Sequence, residues 1–100
     1  MKQHEYKISV EHIADAKGNP STYTEALEFT AYNHDDLFKV LAHLQKTELV
    51  DEESTKALAI GLKLFGEVLL LNKDVTIFKE FLPQFIQFIQ TLKKSAPSQI

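Results

Sequence analysis

Asp51-Glu-Glu-Ser-Thr-Lys-Ala-Leu-Ala-Ile-Gly-Leu-Lys-Leu-Phe-Gly-Glu-Val-Leu-Leu-Leu-Asn72 is the stretch on which the fold turns. Asp51 is a favourable helix N-cap, Glu52 and Glu53 suit the positive end of a helix dipole, and Asn72 tolerates the left-handed conformation that closes a helix. At about 100° per residue, Lys56, Lys63 and Glu67 share a band roughly 40° wide. Leu58, Leu62, Leu64, Phe65, Val68 and Leu69 cover the remaining sides, and even Ile60 and Leu70 crowd the polar band. A helix this apolar has to be covered on more than one side. Gly61 falls opposite the Lys band, next to Leu58, Phe65 and Val68. Glycine there costs about 1 kcal/mol of helix propensity relative to Ala, so a close approach at Gly61, by a neighbouring helix or by strands upstream, is expected.

Downstream, Asp74 is expected to cap a third helical segment that begins Val75-Thr-Ile-Phe. Phe78, Phe81, Leu82, Phe85, Ile86, Phe88, Ile89 and Leu92 take about half of its circumference. Lys79, Glu80, Gln84, Gln87, Gln90 and Lys94 take the other half. Pro83 falls on the polar side, where it either kinks the helix or starts a fourth one. Upstream, Asn33 is a suitable cap, and Asp35 and Asp36 suit the first turn of a helix over about 34–47, with Leu37, Phe38, Val40, Leu41 and Leu44 as its apolar stripe.

The N-terminal third alternates instead. Tyr6, Ile8 and Val10 share one face against Lys7, Ser9 and Glu11, and Leu27, Phe29 and Ala31 share one against Glu28 and Thr30. Between them Asp15-Ala-Lys-Gly-Asn-Pro-Ser-Thr22 concentrates turn formers: Gly18 supplies positive φ and Pro20 blocks continued pairing. The pattern predicts an antiparallel hairpin whose register the long loop leaves open. Both strands are edges, which either a second copy of the chain pairs or the charges of Lys7, Glu11, Glu25 and Glu28 blunt. The fold class is therefore α+β: an antiparallel β-hairpin followed by three to four α-helices packed on one face of the sheet. It is expected as a single domain over 1–94 with a flexible tail at 95–100.

Composition narrows function more by exclusion than by assignment. One hundred residues with 44% hydrophobic and 25% charged content form a folded domain rather than a disordered one. Without Cys there is no disulfide, thiolate metal site or thiol nucleophile. The basic residues are all Lys, so no planar guanidinium is available for bidentate phosphate recognition, and a net charge of −3 speaks against a dedicated nucleic-acid binder. Residues 1–53 hold eleven acids against five Lys, and residues 54–100 hold three against six. This polarity is complementarity within the domain or toward a second copy or charged partner. No signal core precedes the first strand, and the apolar stretch Ala57–Leu71 is interrupted by Lys63 and Glu67 and short of a bilayer span, so a cytoplasmic protein with no membrane partner is expected.

No catalytic motif emerges. His4 and His12 lie about 27 Å apart along a strand, and His34 and His43 sit at opposite ends of one helix, so neither pair chelates one ion. Ser9, Ser21 and Ser54 lie in no nucleophile-elbow pattern. Asp35/Asp36 and Glu52/Glu53 are adjacent and point apart on a helix. Gly61-Leu-Lys-Leu-Phe-Gly66 sits inside a helix and cannot present a row of amides to phosphate. No catalytic residue, metal or cofactor is expected. Seven Phe and three Tyr remain as a supply for an aromatic pocket, with Phe78, Phe81 and Phe85 as its lining and Tyr6, His12 and Tyr32 as polar handles.

His12-Ile-Ala-Asp-Ala-Lys-Gly-Asn-Pro20, Asn33-His-Asp-Asp-Leu-Phe38 and Ala57-Leu-Ala-Ile-Gly-Leu-Lys-Leu-Phe-Gly-Glu-Val-Leu-Leu70 resemble a family of short bacterial proteins catalogued as a domain of unknown function. The resemblance runs from about Met1 to Lys94 and implies a compact α+β domain in a bacterial cytosol, with no catalytic residues to carry over. Its most specific part is the segment 57–70, and the places to look for function, 33–36 and 61–67, already have capping and packing explanations. The reading that follows is a non-enzymatic interaction or dimerisation module that uses the hairpin edge or apolar helix faces. Its partner is another protein or, with slight preference, a second copy as a homodimer, with Lys7, Glu28 and Gly61 as candidate interface residues. The alternative is a small-ligand-binding protein with a Phe-rich pocket.

Overall fold

Alternating apolar residues make the first two elements, as the 2-residue period requires. In the computed structural model, which describes residues 2–95, β1 (His4–Val10) pairs antiparallel with β2 (Leu27–Asn33) in a two-stranded sheet. The register places Tyr6 opposite Ala31, Ile8 opposite Phe29 and Val10 opposite Leu27. All three apolar pairs therefore share one face, and Lys7, Ser9, Glu28 and Thr30 share the other. Across that polar face Lys7 Nζ lies 3.4 Å from Glu28 Oε1. The connection is longer and more ordered than a plain loop. Gly18 takes φ +90° at its tip. Asp15 accepts from the amides of Lys17 (2.9 Å) and Asn19 (2.8 Å). Pro20 does not end pairing: it forms an isolated antiparallel bridge with Ala14, whose hydrogen bonds run from the Ser21 amide to the Ile13 carbonyl at 3.0 Å and from the Asp15 amide to the Asn19 carbonyl at 2.9 Å, so that Pro20 is asked for no N–H.

The chain forms two compact units, one ending at His34 and the other starting at Asp35. The second is helical: α1 (Leu37–Gln45), α2 (Glu52–Leu71) and α3 (Thr76–Lys94). α1 starts later than Asn33 suggested. Asn33 is the last residue of β2, and the cap passes to Asp36, whose carboxylate accepts from the Phe38 amide at 2.9 Å. α2 keeps the expected bounds, with Asp51 accepting from the Ser54 amide at 2.8 Å and Asn72 as C-cap, but Asn72 has φ −127° rather than the expected left-handed conformation, and its side-chain amide donates to the Val68 carbonyl at 2.8 Å. Asp74 is not the cap of α3; Val75 is, without a side-chain hydrogen bond. Pro83 neither ends α3 nor starts a fourth helix. It lies on the exposed side, where water can serve the carbonyl that its missing N–H leaves open.

Leu44, Ala59 and Leu92, one from each helix, form the buried centre of this unit, with Val40, Leu41 and Leu62 packed around it. Leu69, fully buried, and Phe85 extend it along α2 and α3. The glycine that permits close approach is Gly66, not Gly61. A Cβ built on Gly66 would stand 3.0 Å from Cζ and 3.1 Å from Cε2 of the Phe85 ring, whereas one on Gly61 meets nothing within 4 Å. The expected close approach at Gly61 is therefore absent within the protomer, and that residue faces open space. Of the tail expected at 95–100, Ser95 is the C-cap of α3; 96–100 lie outside the described residues. No helix among the described residues is long and apolar enough to cross a membrane.

Candidate functional site

Chemistry-bearing side chains meet at one place that spacing could not reveal. Pairing of Ala14 with Pro20 folds the β1–β2 connection back on itself, so His12 Nδ1 comes within 2.6 Å of Ser21 Oγ. The Tyr23 ring meets the His12 ring edge-on, with centroids 5.2 Å apart. A serine beside a histidine is the start of a nucleophilic dyad. Here Ser21 Oγ also accepts from the Tyr23 amide at 3.1 Å, the arrangement of a turn-closing serine. Asp15, on the same connection, spends its carboxylate on its own turn: Oδ1 accepts from the Lys17 and Asn19 amides and Oδ2 from Asn19 Nδ2. Those donors, Asn19 foremost, hold its pKa below the ordinary carboxylate value and favour the anion. The group is exposed, and its hydrogen bonds close a turn.

The second polar contact belongs to the helical unit. Lys63, near the middle of α2, donates to Asp35 Oδ2 at 2.5 Å, and both side chains are half-buried. This joins the residue just before the α1 cap to the flank of α2. At the N-terminus of α2, Lys56 bridges Glu53 at 3.0 Å and Glu52 at 3.8 Å. The hydrogen bond and charge of Glu53, then Glu52, hold the Lys56 ammonium in its charged form. Among the described residues no three His, Asp or Glu gather where a metal ion could sit.

The candidate pocket residues are brought together only in part. Phe81 and Phe85 meet at 6.2 Å between ring centroids, and both meet Phe65 of α2, at 6.0 and 5.6 Å. Phe78 lies half-buried two turns before Phe85. Phe85 is held against Gly66, while Phe81 and Phe65 remain 40% and 45% exposed. A surface depression beside the turn between α1 and α2 is lined by Gln45, Glu48, Val50, Glu52 and Thr55 and has no aromatic wall. Of the candidate interface residues, Lys7 and Glu28 pair with each other on the polar hairpin face, and Gly61 stands open on α2.

Large apolar side chains exposed in the helical unit include Phe38, Phe65, Val68, Leu71, Ile77, Phe81 and Phe88. They outnumber its buried ones, Leu37, Leu44, Ala59, Leu69, Phe85 and Leu92. On the hairpin, Val10, Leu27 and Phe29, all of the apolar face, are exposed as well. The sequence signalled this in the near-complete apolar girth of α2, which α1 and α3 do not close.

No protein of curated function matches the chain. It is similar to a protein of unknown function from Pectobacterium atrosepticum, known from a crystal structure: the two share 36% identity over 93% of this chain and 99% of the other, with a TM-score of 0.80. The family model of a domain of unknown function with solved structure, DUF3861, matches residues 4–94. A match over nearly the whole chain places it plainly: this chain belongs to the DUF3861 family.

Proposed function

We propose that this protein is a non-enzymatic interaction module of the bacterial cytosol that works as a homodimer through its apolar helix faces. The observation that carries this is the apolar surface of the helical unit, where Phe38, Phe65, Val68, Leu71, Ile77, Phe81 and Phe88 are all exposed. Exposed apolar patches of this extent mark association surfaces in soluble proteins.

Native mass spectrometry over a dilution series tests this reading. A mass twice 11.4 kDa that persists on dilution supports it. A bare monomer throughout overturns it. A monomer carrying a reproducible small adduct also overturns it and favours instead a ligand site beside Phe81, the exposed member of the Phe65–Phe81–Phe85 cluster.

A further inference from the structure

The homodimer needs a surface, and α2 carries one whose side chains are graded in size. Ser54, Ala57, Gly61, Leu64, Val68 and Leu71 follow the 3–4 spacing that keeps one stripe of a helix facing a partner helix. The stripe holds no charge. Leu64 is half-buried and the other five are exposed, with Val68 at 47% and Leu71 at 72%. It lies away from the side of α2 that buries Thr55, Ala59, Gly66 and Leu69 within the protomer. Its N-terminal half is small (Ser54, Ala57, Gly61) and its C-terminal half is large (Leu64, Val68, Leu71).

We infer that α2 pairs antiparallel with α2 of a second copy, across a two-fold axis that passes between Leu62 and Lys63. This deepens the homodimer reading above and rests on it. In that arrangement every layer joins one small residue to one large one: Ser54 faces the second copy's Leu71, Ala57 faces its Val68, and Gly61 faces its Leu64. Such alternation is how facing helices fill their shared space. A parallel pair would stack Gly61 on Gly61 and Ala57 on Ala57, leaving voids at one end and crowding Leu71 at the other. The pairing also explains why α2 retains Gly61. Its helix-propensity cost has no compensation inside the protomer, where a Cβ would meet nothing within 4 Å, and a bulky Leu64 seated on it from outside supplies the missing close approach. Phe65 and Phe81, in contact and partly exposed, flank the stripe and widen the buried area.

The chain has no cysteine, so disulfide trapping reads the geometry directly. In the double variant Ala57→Cys/Val68→Cys the two thiols of one helix stand about 16 Å apart and cannot bridge within a chain. Antiparallel pairing brings each against the other type in the second copy, so mild oxidation should give a covalent dimer whose linked peptides join positions 57 and 68. The single variant Ala57→Cys should give none, because its copies are then equally far apart. Gly61→Lys serves as the second variant. Open space at Gly61 lets the protomer fold with it, and two buried ammonium groups should weaken dimerisation by about a hundredfold or more. Efficient bridging in Ala57→Cys alone overturns the antiparallel assignment. A dimer that neither bridges in the double variant nor weakens with Gly61→Lys places the contact elsewhere and overturns this inference while the homodimer stands. A protein that is monomeric before any substitution overturns both.

Discussion

Gly66→Ala sets two well-measured effects against each other at one position. Replacing a mid-helix glycine by alanine stabilises a helix by about 1 kcal/mol, and Gly66 lies well inside α2. The added methyl would stand 3.0 Å from Cζ and 3.1 Å from Cε2 of Phe85, several tenths of an ångström inside ordinary carbon–carbon contact. The ring has little freedom to withdraw, since it is 8% exposed and meets Phe65 edge-on at 5.6 Å and Phe81 at 6.2 Å. Overpacking of this kind costs about 1–3 kcal/mol, so the net expectation is destabilisation of about 1 kcal/mol. Phe85→Leu removes the offending ring atoms, and in that background Gly66→Ala should show its helix gain instead. Urea unfolding followed by far-ultraviolet circular dichroism, at one fixed protein concentration because association shifts apparent stability, gives the four values of the cycle. The expected coupling is about 1–3 kcal/mol. If Gly66→Ala stabilises the parent by about 1 kcal/mol and shows no coupling to Phe85, the close approach of α2 and α3 at Gly66 is wrong.

Four further outcomes follow from the contacts. Asp36→Ala should cost about 1 kcal/mol by removing the cap of α1, read as a lower urea midpoint. Lys63→Met should lose up to about 1 kcal/mol of the contact with Asp35, and the loss should shrink with added salt in the same assay. The Ser54 hydroxyl and amide hold the Asp51 carboxyl below its ordinary value of 3.8, so its contribution to stability is complete above that value and lost as pH falls through the lower folded pKa. Asp51→Asn keeps a good cap but should flatten this acid limb in unfolding midpoints measured against pH. Glu28→Lys breaks an exposed pair with Lys7 and should leave the dimer mass in native spectra unchanged, whereas an interface on the polar hairpin face would lose it.

Local chemistry made much of the architecture legible. The strict alternation of Tyr6, Ile8, Val10 and of Leu27, Phe29, Ala31 yields cross-strand pairs on one face, and Asp51 opens α2 as its capping chemistry requires, whereas Asn72 ends it without the left-handed turn. Where several residues could do the same local job, tertiary context chose among them. Asn33, Asp35 and Asp36 are all competent caps, and the extension of β2 through Asn33 left the role to Asp36. Gly61 and Gly66 cost the same in propensity; only the placement of Phe85 decides that Gly66 takes the close contact and Gly61 is left open. The His12–Ser21 contact depends on the bridge between Ala14 and Pro20, which a proline seemed to forbid. The apolar girth of α2 announced more than one covering partner, and the chain supplies cover for one side.

Ala57 and Val68 provide the most direct measurement of that missing cover. In a sample mixed from carbon-13-labelled and unlabelled protein, an isotope-filtered nuclear Overhauser experiment reports only contacts between copies. The account predicts cross-peaks between the Ala57 methyl of one copy and the Val68 methyls of the other, and none between the two Ala57 methyls. Filtered spectra of a dimeric sample that lack the Ala57–Val68 contact, or that join Ala57 to Ala57, would contradict it.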